Sequence, residues 1–473
     1  MNDLRRSIDI LKKNGDILEI DDHFSSNLEV SSLTNIVQKK NGPALIFNNV
    51  DDGDIPVLMN TFGNMKRLEL LLGTRIDDIV GIFERIIGTI FSKPSLLKGY
   101  EIFKELKNLS LEEKGNGPVK ESSDDLDLND IPILKTWPND GGKYITWPVV
   151  ITKNPETGEY NAGVYRMQVY DGETTGMHWQ MQKTGNMHLL KAKEMGKTLD
   201  VAVAIGVHPA VLFSAILPLP EGFNELSFAG LLMGENLEVV KGETVDLYYP
   251  ANAEFILEGY VDPNEMRDEG PFGDHTGYYT PVEKYPVFHV KKIFHRKKPI
   301  YHATVVGKLW NEDVIIGDAI QRIFLPIIKF QNPEIVDLFL PEEGIFNNLA
   351  IVSIDKKYPG QGRKVGMSIL SMGQMMFTKY VIVVDKDINI RDRREVFWAI
   401  STRTDPIRDV ELINLSVADS LDHASLYPNA GGKMIIDATR KEKNEGFDRP
   451  WPDRIIEFND ENLNKKFRKY GFL

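Results

Sequence analysis

The chain has 473 residues, more than one hydrophobic core usually supports, so two or three domains are expected. An apolar content of 42% and a charged content of 26% are ordinary for a globular protein, and a formal net charge of -13 argues against nucleic acid as a partner, which calls for a basic face. No cysteine occurs, which excludes disulfides, thiolate metal sites and a cysteine nucleophile.

The chain opens on an amphipathic helix, not on an apolar signal core. Leu4, Ile8 and Leu11 recur at helical spacing, with Asp3 placed to cap the start and Gly15 to stop the end. No run approaches the roughly 18 apolar residues that a membrane span requires. A cytoplasmic protein is the default, with loose attachment to a membrane surface left open. An α/β segment continues to about residue 114. The stretch 115–130 is polar and aperiodic, with Gly115, Gly117 and Pro118, and reads as a linker that ends an N-terminal α/β domain over 1–115.

Over 131–317 short β-prone runs, such as 201–205 and 287–290, are punctuated by Gly and Pro, which predicts a mainly β domain. Beyond it, Val381-Ile382-Val383-Val384 is an apolar run of the kind buried on both faces. The pattern from Arg393 to Arg403 predicts a helix with Val396, Phe397 and Ile400 inward, so 318–473 reads as a second α/β domain. The fold class is α/β, in its α+β arrangement.

The central domain carries the chemistry. Glu269-Gly270-Pro271-Phe272-Gly273-Asp274 sets two carboxylates five positions apart on a Gly-Pro-Gly turn that is neither helix nor regular strand. If the two acids converge on one small cavity, repulsion and burial raise the pKa of one of them and divide the pair into an acid and a base. Two solvated turn acids are the alternative. Upstream, Asn161 and Arg166 are five apart, hence on opposite faces of a regular strand, and Arg166 offers a fixed cation with a flat fork of donors suited to a carboxylate. Further polar clusters follow in Met177-His178-Trp179-Gln180-Met181-Gln182-Lys183 and Gly222-Phe223-Asn224-Glu225. Glu254 and Glu258, in a β-like run, read as supporting residues.

Taken in this order, the segments resemble the UbiD family of prenylated-flavin carboxy-lyases over nearly the whole chain, most closely its polyprenyl-4-hydroxybenzoate decarboxylases. The resemblance implies an N-terminal α/β segment, a central split β-barrel that binds flavin, and a C-terminal α/β domain that carries dimerisation. It also implies prenylated FMN as the electron sink, since side chains alone stabilise an aryl carbanion poorly, together with Mn²⁺ or Mg²⁺ and room for K⁺.

On the matching positions, Arg166, Glu269 and Asp274 form the catalytic constellation. Asp274 is the proton donor, expected to have a raised pKa, and Arg166 is expected to pair mainly with Glu269. Asn161 and Glu225 match the oxygen ligands of the metal that clamps the cofactor phosphate. Val164, Tyr165, Arg166, His178, Trp179, Gln180, Lys183 and Lys379 line up with flavin-contacting positions, although Tyr165 and Trp179 also read as core packing. Gln182 is a departure, standing where relatives commonly carry a metal-ligating His; His188 reads as a helix-face residue that could compensate. Leu309-Trp310-Asn311-Glu312 stands where relatives often have a Pro-Pro pair, in a stretch expected to line the pocket.

The function implied is non-oxidative decarboxylation of a hydroxylated aromatic acid, such as 4-hydroxybenzoate or its polyprenylated form. A fused-ring or isoprenoid-pathway unsaturated acid is the same-class alternative. A flavin prenyltransferase would supply the cofactor, and the assembly would be a homodimer or homohexamer. A non-catalytic flavin- or metal-binding subunit is the reading from another class; the intact Arg166, Glu269 and Asp274 speak against it.

Overall fold

Helix α1 (Leu4–Lys13) starts where the Asp3 carboxylate accepts the Arg6 backbone N–H at 2.9 Å, and it buries Leu4, Ile8 and Leu11 on one face. The structure, a computed structural model, describes residues 3–91, 111–123, 126–219, 223–308, 311–455 and 461–471. Strand β1 (Ile17–Phe24) pairs in parallel with β2 (Ala44–Val50) through the crossover helix α2 (Glu29–Lys39). From β2 the chain turns antiparallel into β3 (Val57–Met59), and α3 (Met65–Leu72) and α4 (Ile76–Phe91) follow.

The polar stretch after β4 (Leu111–Lys114) is packed rather than free. The Val119 N–H donates to the Ala251 carbonyl at 3.0 Å, Val119 is buried, and Ser122 bridges to His295. Backbone hydrogen bonds hold it, and hydrophobic periodicity does not register them.

The central region contains β5 (Tyr144–Ile145), β6 (Val149–Lys153), β7 (Tyr160–Val164), β8 (Met167–Gln168), β9 (Thr174–Gly176), helix α5 (Thr184–Glu194) and β10 (Leu199–Ile205). Helices α6 (Pro209–Ile216) and α7 (Glu225–Met233) follow, then β11 (Leu237–Lys241), β12 (Tyr248–Pro250) and a long hairpin, β13 (Phe255–Glu269) with β14 (Glu283–His295). One antiparallel sheet runs in the order β7-β6-β10-β13-β14-β9, β4 joins β11 and β12, and β5 pairs with β8. Among the described residues this sheet stays open, with β7 and β9 at its edges. Period-two alternation sends Ala202 and Ala204 of β10 into one core cluster and Val201, Val203 and Ile205 into another, so the sheet is buried on both faces.

Strand β15 (Tyr301–His302) returns to the N-terminal sheet and pairs in parallel with β3, Tyr301 opposite Val57. Helix α8 (Glu312–Gln331) then runs unbroken through position 317. Its first residue anchors it: the buried Glu312 carboxylate accepts the Phe62 N–H at 2.7 Å and the hydroxyls of Thr304 and Thr61 at 2.6 and 3.2 Å.

The C-terminal region comprises β16 (Ile335–Phe339), β17 (Leu349–Ile354), α9 (Gln361–Ile369), β18 (Tyr380–Asp385), α10 (Arg393–Arg403), β19 (Val410–Val417), β20 (Ala430–Ala438) and α11 (Glu461–Lys469), with its sheet ordered β16-β17-β18-β20-β19. As the apolar run predicts, Val381 and Val383 of β18 face one cluster and Ile382 and Val384 the other. Helix α10 differs from expectation in one residue. Val396 and Ala399 are buried and Ile400 packs against their cluster, but Phe397 is 66% exposed. One residue on from Val396 is about 100° around the helix. The inner face instead takes Arg403, buried in ion pairs with Asp385 and Asp387 at 2.8 and 2.9 Å.

Candidate active site

Glu269 ends β13, opposite Glu283 of β14, and the intervening loop carries Asp274. Gly270 sits at φ 110°, which L side chains rarely adopt, and its N–H donates to Gln168 Oε1 at 2.8 Å. The Gly273 N–H donates to Asp140 Oδ1 at 2.8 Å, and a Cβ there would lie 2.1 Å from the Trp137 ring. Backbone geometry thus fixes the loop, and both acids meet at Arg166.

Arg166 lies between β7 and β8. Its Nε and Nη2 donate to the two oxygens of Glu269 at 3.0 and 3.1 Å, while Nη1 donates to Asp274 Oδ2 at 2.6 Å. One planar guanidinium serves both carboxylates, and it stacks 4.5 Å over the Phe272 ring. Each acid has an imidazole as its second neighbour. His178 Nδ1 is 3.0 Å from Glu269 Oε2, and His275 Nδ1 is 2.6 Å from Asp274 Oδ1.

Burial alone would raise both carboxyls. For Glu269, the hydrogen bond from His178 and the charge of Arg166 outweigh burial and bring it down to about 2. For Asp274, the charge and hydrogen bonds of His275, then the charge of Arg166, hold it well below the usual carboxylate range. This corrects the expectation of a raised Asp274: Arg166 gives two N–H groups to Glu269 and a third to Asp274, and the His275 side chain turns onto Asp274 as well. Burial, aided by Arg166, lowers the His178 imidazole and keeps it neutral. With Glu269 ionised, Nδ1 carries the proton, which leaves Nε2 as a buried acceptor without a partner.

Three family models cover this chain, all for 3-octaprenyl-4-hydroxybenzoate carboxy-lyase: the N-terminal domain over residues 8–86, the Rift-related domain over 111–309 and the C-terminal domain over 314–438. The chain belongs to the UbiD family of carboxy-lyases. An uncharacterized protein of Archaeoglobus fulgidus is 51% identical over 468 residues, 98% of this chain and 96% of that one. The UbiD-class enzyme HmfF from Pelotomaculum thermopropionicum, solved with FMN, is 28% identical over 99% of both chains, with a TM-score of 0.81; an evolved dimeric form of it was solved with prFMN. Vanillic acid decarboxylase of Sedimentibacter hydroxybenzoicus, in closed form, is 26% identical over 99% of both chains, with a TM-score of 0.85. The shared Arg166, Glu269 and Asp274 contacts all fall within the Rift-related domain of this UbiD-family chain.

The remaining residues expected from the UbiD likeness divide into two groups. Asn161 is buried in β7, and Glu225, which opens α7, accepts the Ala162 N–H at 3.0 Å, so these two come together. Burial raises the Glu225 carboxyl. Tyr165 and Trp179 meet edge-on at 6.3 Å in one core cluster, and Val164, at the end of β7, packs against the other. Asn161 Nδ2, His178 Nε2 and Trp179 Nε1 are buried polar atoms without partners, the donor and acceptor set that a bound polar group would satisfy.

Others stand apart. Gln182 is exposed and donates to Gln180 Oε1 at 3.1 Å, and Gln180 donates to Ser420 Oγ at 2.6 Å. Lys183 precedes α5, where burial lowers its ammonium against the charge of Asp419. Lys379 pairs with Asp422 at 2.9 Å. His188 is buried against Thr152 Oγ1 at 2.9 Å, a helix-face residue packed on the sheet. Glu254 pairs with Arg5 and Glu258 accepts the Tyr249 hydroxyl at 2.7 Å, both away from Arg166. Among the described residues no group of three or more His, Asp or Glu is placed to hold a metal, and no helix is long and apolar enough to cross a membrane. Leu309 and Trp310 lie outside the described residues. Sequence reasoning assigned no role to His275; its adjacency to Asp274 was the one available signal.

Proposed function

We propose that this protein is a prenylated-FMN-dependent, non-oxidative decarboxylase of a hydroxylated aromatic acid, such as 4-hydroxybenzoate or its polyprenylated form. The observation that carries the reading is the single Arg166 fork held between two buried carboxylates, beside buried polar atoms that lack partners. The relatives support it: HmfF was solved with FMN and prFMN, and the Sedimentibacter enzyme is a vanillic acid decarboxylase.

When bound, prenylated FMN supplies the electron sink for loss of CO₂. His178 Nε2, Trp179 Nε1, Gln180 and Lys183 would hold it, together with Val164, Tyr165 and Lys379. Arg166, kept in one orientation by Glu269, positions the substrate carboxylate, and a group already oriented needs no reorganisation during reaction. Asp274 delivers the proton to the product carbon. Asn161 and Glu225 would hold Mn²⁺ or Mg²⁺, to which hard oxygen donors are suited; Gln182 joins them only if its side chain turns away from Gln180. For assembly as a homodimer or homohexamer, the support is edge strand β19, where Leu412 and Leu415 are 70% and 60% exposed.

Co-expression with a flavin prenyltransferase should give a chain with a prenylated-flavin absorbance spectrum. It should release CO₂ from at least one hydroxylated acid in a panel that includes fused-ring and isoprenoid acids. Turnover by flavin-free protein, or a fully loaded chain inert on the whole panel, would overturn the reading.

A further inference from the structure

We infer that His275 is a positioning residue that stores the proton Asp274 delivers and resupplies it from water. The inference rests on the decarboxylation proposed above and adds the source of its proton. Replacing a carboxylate by hydrogen consumes one proton per turnover (R–CO₂⁻ + H⁺ gives R–H + CO₂), and the electron pair of the broken C–C bond ends in the new C–H bond. An acid that gives up this proton must be recharged in every cycle.

The contacts of Asp274 leave one donor for that supply. Its side chain is 6% exposed, and both oxygens are engaged. Oδ2 accepts from Arg166 Nη1 at 2.6 Å; Oδ1 accepts from the His275 backbone N–H at 2.7 Å and lies 2.6 Å from His275 Nδ1. Neither a guanidinium nor a backbone amide gives up a proton near neutral pH. The imidazole does, and it is also the partner that reaches water, with its side chain 24% exposed. Among the described residues Nε2 makes no hydrogen bond, so the Nδ1 contact is the ring's one polar tether. Phe346 lies beside the ring, 5.2 Å between centroids.

The charges agree with this geometry. Burial lowers the His275 imidazole, but Asp274, then Asp313 and Asp419, outweigh it and raise it overall. Burial would raise Asp274, but His275 and then Arg166 hold it well below the usual carboxylate range. The cations of this neighbourhood are Arg166 on Asp274, Lys183 opposite Asp419, and Lys308, whose Cβ would lie 2.8 Å from a Cβ at Gly277. The resting pair therefore carries its proton on the ring, and the two groups titrate as a unit. This reconciles a depressed Asp274 with its role as donor. The proton moves along the Nδ1–Oδ1 contact to give a neutral acid beside a neutral imidazole, and Asp274 passes it to the product carbon. The ring then swings its bare Nδ1 to water, is reprotonated and returns, while the backbone N–H keeps hold of Oδ1.

Two measurements test this. In the full chain without added cofactor, an NMR titration of the His275 imidazole should show a midpoint lower by about 1–3 units in Asp274→Asn, because the opposite charge on its Nδ1 partner is gone. In the chain loaded with prenylated FMN, His275→Gln keeps a hydrogen-bonding side chain that cannot carry the proton, and should lower kcat by about 10²-fold with KM unchanged. His275→Ala should lose as much, but it leaves an opening in which added imidazole restores about tenfold of the rate, whereas sodium chloride at the same ionic strength restores none. An unmoved His275 midpoint overturns the assignment whether or not the chain turns over. So does a wild-type kcat in His275→Gln, or a folded His275→Ala that imidazole leaves unrestored; should His275→Ala fail to fold, the other two results decide. A loaded wild-type chain that decarboxylates nothing would instead overturn the decarboxylase reading.

Discussion

His178 Nδ1 meets Glu269 on Oε2, the same oxygen that takes Arg166 Nη2. A neutral imidazole and a guanidinium thus converge on one carboxylate oxygen, which fixes the plane of Glu269 and through it the direction of Arg166. Glu269→Gln keeps the shape and loses the charge and one acceptor. It should cost about 1–3 kcal/mol in urea unfolding and weaken flavin retention, read from the absorbance of the purified protein. Normal stability and full flavin occupancy would mean that the fork does not depend on Glu269.

Acid should expose the same pairing. Glu269 is lowered from 4.5 to about 2, and Asp274 is lowered as well. A depressed carboxyl contributes stability that is fully present above its unfolded value and lost as pH falls through its folded value. Stability should therefore decline from about pH 4.5 towards about pH 2, and Asp274→Asn should make that decline shallower. Circular dichroism across this range checks it; an acid limb identical in the variant would count against the ion pair.

Asp274→Asn should also separate binding from turnover. The amide keeps the Oδ position but has no transferable proton, so kcat should drop by about 10²–10⁴ while prenylated FMN stays bound. Hydrogen–deuterium exchange into a product analogue should disappear with it. Near wild-type rate and exchange in a cofactor-loaded variant would move the proton donor elsewhere.

The loop itself can be tested without chemistry. A Cβ at Gly273 would lie 2.1 Å from Trp137 Cδ1, and Trp137 is held by its Nε1–H donating to the Val306 carbonyl at 2.8 Å. Gly273→Ala should force Trp137 to move and cost about 1–3 kcal/mol, seen as a lower Tm and a changed near-ultraviolet spectrum. An unaltered Trp137 signal would show that the loop gives way instead.

Much of this was legible in the sequence because it is periodic or covalently local. Helix α1 has the cap and buried face that Asp3, Leu4, Ile8 and Leu11 announce, and the β18 run is buried on both faces as its composition requires. Arg166, Glu269 and Asp274 could be named from their motifs and do meet. Side-chain direction was not legible. It puts Phe397 in solvent and Arg403 inside, and it turns His275 onto Asp274, reversing the expected direction of that carboxyl. Nor could sequence bring α8 to the His275 loop, because that packing runs through Phe346, which meets both Gly317 and the His275 ring.

The pairing of β15 with β3 has a consequence for synthesis. The N-terminal strands leave the ribosome early, yet β3 gains its second neighbour only when Tyr301 has been made and returned to Val57. Until then β3 presents an open row of backbone donors and acceptors, the kind of edge on which other chains pair. Such a distant contact also forms slowly, because a long loop must close first. The nascent chain therefore carries an adhesive edge until Tyr301 has been made. A fragment cut before Tyr301 would keep that edge permanently.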